Sequence, residues 1–189
     1  MSGVIAGGRI GEGEAKVVRV ALLTVSDTRT LATDSSGDLL EAMVESAGHV
    51  IAGRTIVSDD AAGIAETVRV WCTRDDVDVV ITTGGTGLSG RDVTPEAVEP
   101  LFDKRIEGFA VVFHLVSYQS VGLSTMASRA TAGLVGTTYV FCLPGSNGAV
   151  RDGWEKVIAP QLDSRHRPCN LVDMMPRLGE DVASPRQPG

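Results

Sequence analysis

The sequence predicts an α/β fold: a mostly parallel sheet with helices on both faces. Three observations carry this reading. Apolar, β-branched runs of strand length alternate with segments whose apolar residues recur at helical spacing. The alternation has the rhythm of βα units, which build parallel sheets buried on both sides. Each apolar run also ends in a polar or glycine-bearing turn: Ser26-Asp27, Ser58-Asp59-Asp60, the stretch from Thr82, and Pro144-Gly145-Ser146. In open parallel sheets such turns gather in one crevice at the carboxyl ends of the strands.

Taken in order, residues 1–16 hold five glycines and no period, and are expected to be a flexible arm. A domain spanning 17–164 follows. Val17–Val25 is apolar and β-branched, the first strand. Ser36 is the expected cap of a helix carrying Leu39, Leu40, Met43, Val44 and Ala47, with Gly48 as its stop. Val50–Val57 is the second strand. Asp60 is placed to cap the helix Ala61–Thr73, on which Ile64, Val68 and Trp71 share a face. Val77–Ile81 is the third strand. Helices are expected over Glu96–Phe102 and Phe109–Ser117. Gly122–Thr138 is rich in Gly, Ser, Thr and Ala and contains Ser128-Arg129. Tyr139–Leu143 is a strand, and the turn after it opens a helix with Val150, Trp154, Val157 and Ile158 on one face. Residues 165–189 have several prolines and no period, and read as an extended tail.

Composition narrows the function. With 189 residues the chain is large enough for one domain with a real core. Hydrophobic content of 43% with only 4% aromatic makes that core aliphatic. The net charge of −7, without any basic run, argues against a nucleic-acid surface. No apolar run of membrane-spanning length and no signal peptide are expected. Cys72, Cys142 and Cys169 share no metal-binding spacing, and the first two sit in apolar settings. A reducing cytoplasm fits this cysteine usage.

The most informative stretch is Thr82-Thr83-Gly84-Gly85-Thr86-Gly87-Leu88-Ser89-Gly90-Arg91-Asp92-Val93-Thr94-Pro95-Glu96-Ala97. Thr94 suits a helix cap, Pro95 the first helical position, and Glu96 the positive end of the helix dipole. Glycines let backbone N–H groups approach a ligand closely, and N–H groups between a strand and a helix are a natural seat for phosphate. A phosphate-bearing ligand is therefore expected here. Gly85, Gly87 and Gly90 satisfy the dinucleotide fingerprint, but after a third strand and without the acidic residue that should end the next one. The nucleotide P-loop pattern fails too, because Arg91 and Asp92 stand where Lys and Ser/Thr are required. An Asp at that place repels phosphate unless a metal intervenes.

With these residues in view, the chain resembles the MoaB/Mog family of molybdenum-cofactor biosynthesis proteins. The resemblance is carried by Thr24-Val25-Ser26-Asp27, by Thr82–Gly87 with Asp92–Ala97, by Ser128–Gly133, and by Leu143–Ser146. It runs from about Val17 to Leu162, and residues 159–163 and 167–170 resemble the MoaB branch. It implies a molybdopterin-binding fold and, in active members, magnesium-dependent transfer of AMP from ATP to the terminal phosphate of molybdopterin. The family's two essential aspartates map onto Asp59 and Asp92, as catalytic and magnesium-positioning groups. Thr83, Gly84, Gly85, Thr86 and Gly87 are implied as the phosphate cradle. Ser128, Arg129, Pro144, Gly145 and Ser146 are implied near the pterin, and Ser26 and Asp27 at the nucleotide. A homo-oligomer is also implied, a trimer or a hexamer built from two trimers.

Plainer roles stand beside these. Asp92 is also a natural turn residue, Asp59 and Asp60 natural caps, and Arg129 a natural surface ion pair. The sequence departs from the family at Val111 and His114, where Glu and Arg are common. An alternative function stands beside the transferase: a molybdopterin carrier or regulator without turnover, which the loss of either Asp59 or Asp92 would favour.

Overall fold

A computed structural model describes residues 8–180. Its main sheet has six strands in the order β3-β2-β4-β7-β6-β5. They are β2 (Arg19–Val25), β3 (Val50–Val57), β4 (Val79–Thr83), β5 (Lys104–Arg105), β6 (Thr131–Val135) and β7 (Thr138–Leu143). The first four in that order are parallel, as expected. The other edge is antiparallel, β6 against β7 and β5 against β6. The sequence predicts neither β5 nor β6: β5 is two residues long, and β6 is Thr-Ala-Gly-Leu-Val, which lacks a readable apolar alternation. Gly133 in that strand has a packing reason: a Cβ there would lie 2.4 Å from the Phe102 ring.

Both faces of the sheet are buried. On one, Leu22, Ile81, Phe141 and Leu143 pack with Leu40 and Val44 of α1 (Ser35–Ser46), Phe113 of α4 (Glu107–Val121) and Val150 of α5 (Asn147–Gly153). On the other, Leu23, Val25 and Val80 pack with Ile64, Val68 and Trp71 of α2 (Ala61–Cys72), joined by Val98 of α3 (Thr94–Val98). Each such fully buried side chain contributes about 1.5–3 kcal/mol. Helix α5 runs on through a π-helical turn, Trp154–Ile158, into α6 (Ala159–Leu162).

The stretch Glu107–Ala127 is long and apolar enough to cross a membrane, contrary to expectation. Its composition has a second explanation in the fold. Phe109, Phe113 and Val116 point into the core, while Val111, Leu115 and Tyr118 stay exposed.

The expected arm and tail meet each other. Residues 1–7 and 181–189 lie outside the described residues. Within the described residues, β1 (Arg9–Ile10) pairs antiparallel with β8 (His166–Arg167), and Lys16 N–H donates to Ser164 Oγ at 2.9 Å. The tail is not simply extended: Val172–Arg177 forms a 3₁₀ turn, with Leu171, Val172, Met175 and Leu178 on the core. Tyr139 Oη donates to the Leu171 carbonyl at 3.1 Å. Aperiodic spacing concealed these anchors.

Helix α1 is capped by Asp34, not by Ser36. Asp34 Oδ1 accepts from Gly37 N–H at 3.0 Å and from Ser36 Oγ at 3.1 Å. Its Oδ2 accepts from Thr24 Oγ1 at 2.6 Å and from Arg54 Nη2 at 3.1 Å. One fully buried carboxylate thus joins β2, α1 and β3. Burial pushes its pKa up, but the bonds from Thr24, Gly37, Arg54 and Ser36 outweigh this and hold it below the usual carboxylate range. The stability it contributes is therefore complete above about pH 4, the ordinary Asp value. It fades as pH falls through the lowered folded-state pKa. Asp34→Ala is expected to cost about 2 kcal/mol or more in urea unfolding, because it uncaps the helix and removes the buried partner of Thr24 and Arg54, although Arg54 keeps Asp38 and Glu41. A loss under about 1 kcal/mol would contradict this role.

Candidate active site

The carboxyl ends of β2, β3, β4 and β7 bring every candidate turn to one crevice. The loop after β4 is its centre. Gly84 passes so close to β2 that a Cβ there would lie 2.2 Å from the Val25 carbonyl oxygen, and its φ is +106°. No side-chain-bearing residue fits both conditions. Gly84 N–H donates to the Leu143 carbonyl at 3.0 Å, and Thr83 Oγ1 donates to the Pro144 carbonyl at 3.3 Å. Gly145 sits against Gly84, with 3.1 Å between its Cβ position and the Gly84 Cα. The two glycine-bearing turns are thus pressed together.

Thr94 fastens the loop from its far end. It is not the helix cap expected of it; that place falls to Val93. Its Oγ1 instead donates to the Gly84 carbonyl at 2.9 Å, and its N–H to the Gly85 carbonyl at 2.9 Å. Arg129 fastens the middle. Its N–H donates to the Thr86 carbonyl, Nε to the Gly87 carbonyl, and Nη2 to the Asp92 carbonyl, all within 2.8–2.9 Å. Nη1 pairs with Glu96. The guanidinium is spent on the loop's own backbone, so Arg129 shapes the crevice. Beside it, the Ser128 hydroxyl is buried and, among the described residues, has no partner. Ser146 Oγ caps α5 through Ala149 N–H at 3.2 Å, and Asp60 caps α2 through Gly63 N–H at 2.7 Å, as expected of Asp60.

The acidic groups stand around this loop. Asp27 and Asp59 are interlocked: Asp27 N–H donates to Asp59 Oδ2, and Asp59 N–H to Asp27 Oδ1, both at 3.1 Å. Ser26 Oγ accepts from the N–H groups of Thr28 and Arg29 at 3.3 and 3.2 Å, closing the turn beneath Asp27. A Cβ on Gly85 would lie 3.2 Å from Asp59 Oδ1, and one on Gly87 would lie 2.8 Å from Asp92 Oδ2. The two candidate catalytic carboxylates therefore face neighbouring glycines of one loop. Asp92 Oδ2 also accepts from Ser89 N–H at 2.9 Å. Among the described residues, the N–H groups of Gly85 and Thr86 donate to no protein acceptor.

The carboxylates differ in charge demand. Asp59 is pushed above the usual range by burial, then by the charges of Asp27 and, more weakly, Asp92. Asp27 is held low, first by Arg91. Asp92 is held low by the Ser89 hydroxyl, by the Ser89 and Gly87 N–H groups, and by Arg129. A cation held by Asp59 and Asp92 would relieve this imbalance. Among the described residues, no three His, Cys, Asp or Glu side chains form a ready-made metal cage. Magnesium usually takes one or two carboxylates and completes its shell with water and phosphate oxygens, so this pair fits it.

Two features lay beyond the sequence reading. Arg91, noted only as breaking the P-loop pattern, places its guanidinium on Asp27, with Nε 3.0 Å from Oδ2. A long-range partner of this kind leaves no local signal. A separate apolar cleft of about 670 Å³ lies between Ile10, Phe109, Val157 and Leu171, and no candidate residue lines it. Of the positions that depart from the family pattern, Val111 is exposed, and His114 Nδ1 lies 2.8 Å from Thr125 Oγ1, joining α4 to the 3₁₀ turn Gly122–Ala127.

Comparison with known proteins agrees with this geometry. A family model described as a probable molybdopterin binding domain matches residues 21–164. Molybdenum cofactor biosynthesis protein B of Escherichia coli strain K12 is 47% identical over 153 residues, covering 81% of this chain and 90% of that protein. Its counterpart in Bacillus subtilis strain 168 is 45% identical over 147 residues, covering 77% and 86%. A crystal structure of a molybdenum cofactor biosynthesis protein B superposes with a TM-score of 0.80 at 43% identity, covering 88% of this chain and 98% of the other. The tungsten cofactor synthesizing protein MoaB of Pyrococcus furiosus gives 0.72 at 33% identity, covering 87% and 99%. With the fold, the loop and these relatives in agreement, the chain belongs to the molybdenum cofactor biosynthesis protein B (MoaB) family, and its role lies in making that cofactor.

Proposed function

We propose that this protein is a molybdopterin adenylyltransferase, acting in the cytoplasm on molybdopterin and magnesium-ATP. The observation that carries the reading is the placement of Asp59 against Gly85 and of Asp92 against Gly87, in a loop whose Gly85 and Thr86 N–H groups meet no protein acceptor among the described residues. An oxygen of molybdopterin's terminal phosphate attacks the α-phosphorus of ATP. The bond from that phosphorus to the bridging oxygen breaks, and pyrophosphate leaves with the electron pair. The nucleophile is already ionised near neutral pH, so the chain needs no strong general base. Its work is alignment and charge neutralisation, as in phosphoryl transfer generally.

The residues divide this work. Gly85 and Thr86 offer N–H groups to a phosphate, and Thr83, Gly84 and Gly87 hold the loop in its cradle shape. Ser26 and Asp27 border the nucleotide. Ser128, Pro144, Gly145 and Ser146 border the pterin, with Arg129 fixing the loop between them. Asp59 and Asp92 would hold magnesium, whose charge offsets that developing on the phosphates. Asp92→Asn is expected to keep molybdopterin binding and to lower turnover by about tenfold or more, measured as pyrophosphate release. Unchanged turnover would remove Asp92 from the mechanism. Tight molybdopterin binding by the wild-type protein without any pyrophosphate would favour the carrier reading instead.

The protein is further proposed to self-associate, as a trimer or a pair of trimers. Support comes from α4 and the turn after it. Val111, Leu115 and Tyr118 are 55–61% exposed, and Leu123 and Met126 are 71% and 74% exposed. Such a continuous apolar surface marks an interaction site. Sedimentation at micromolar concentration is expected to give a multiple of 19.8 kDa, shifted toward the monomer by Leu115→Glu. A single wild-type species near 19.8 kDa would contradict it.

A further inference from the structure

The crevice has two guanidinium groups with different freedom. Arg129 cannot move without releasing Gly87, Asp92 and Glu96. Arg91 is anchored differently. Its side chain is 68% exposed, and both Nε and Nη2 rest on a single oxygen, Asp27 Oδ2. It stands next to Gly90, around which there is open space. Asp27 does not depend on Arg91 for its position. Its other oxygen accepts from Asp59 N–H, and its own N–H donates to Asp59. The ion pair can therefore open without moving the turn that carries Asp27. An exposed ion pair of this kind is weakly held, whereas a guanidinium fork suits phosphate oxygens geometrically.

We propose that Arg91 is a phosphate-gripping residue that leaves Asp27 for the polyphosphate of the incoming nucleotide. Asp27 is its parking place while the site is empty of anion. The ligand class is a nucleoside triphosphate or its pyrophosphate product, held through the β- and γ-phosphate end. This inference rests on the nucleotide site proposed above, and adds a residue the sequence reading set aside.

The test is equilibrium binding of inorganic pyrophosphate, and separately of ATP, to the full-length protein in the presence of a chelator. Calorimetry on four proteins suffices: wild type, Arg91→Ala, Asp27→Asn and the double variant. Arg91→Ala is expected to weaken binding about tenfold. Asp27→Asn frees the guanidinium and is expected to tighten binding about threefold, and this gain should vanish when Arg91 is also replaced. Arg91→Lys, which keeps the charge but not the fork, should recover only part of the loss.

Four results would overturn the proposal. One is wild-type affinity in Arg91→Ala. Another is an equal loss in both single variants, the mark of a merely structural clip. The third is a gain from Asp27→Asn that persists without Arg91, the mark of general electrostatics. No binding of pyrophosphate by the wild type would overturn it as well. None of these readouts requires turnover. A protein that grips pyrophosphate through Arg91 yet forms no adenylylated pterin would keep this inference and sink the transferase reading.

Discussion

The crevice depends on the closeness of Gly84 to the Val25 carbonyl. That approach lets the loop after β4 lie across the end of β2, where Asp27 and Asp59 are waiting. It also brings Gly145 and its helix start against the same backbone. With any side chain at Gly84, the loop would have to lift off β2, and the carboxylates would lose their relation to the N–H groups. Thr94 and Arg129 then hold the loop from two other directions, through carbonyl oxygens at Gly84, Gly85, Thr86 and Gly87. Precision here comes from backbone contacts, which the parallel sheet supplies by ending four strands at one edge.

Electrostatics adds a second constraint. Three carboxylates share the crevice, yet each is treated differently. Asp27 has a guanidinium, Asp92 has N–H and hydroxyl donors, and Asp59 has burial and like charge. Such a divided set suits a site that meets both a cation and phosphate. The same logic appears in the scaffold at Asp34, where every lone pair is engaged by Thr24, Ser36, Gly37 or Arg54. Asp34 is saturated and fastens the fold, whereas the Asp59 carboxylate accepts, among the described residues, only the Asp27 N–H.

Much of this was legible in the sequence. The parallel strands are long β-branched runs, and their turns carry Asp59, Asp92 and the glycine loop in plain sight. What escaped reading has physical causes. β6 carries a glycine at its centre, which interrupts its apolar pattern, because Phe102 fills the space beside Gly133. The arm and tail have no period because they are tied by a two-residue ladder and by single anchors such as Tyr139. Asp34 outcompeted Ser36 as a cap because its second oxygen also reaches Thr24 and Arg54, partners distant in sequence. Thr94 and Arg91 followed the same rule: their tertiary partners, Gly84 and Asp27, decided their roles, and local pattern does not encode such partners.

The central claim is that the crevice transfers AMP to a bound pterin phosphate. Single turnover of ATP labelled at the α-phosphorus, with purified protein, molybdopterin and magnesium, tests this most directly. The account predicts that label moves onto the pterin in step with unlabelled pyrophosphate, and that neither appears without magnesium. Label remaining in ATP, with molybdopterin fully bound, would contradict it and leave a binding protein in place of the enzyme.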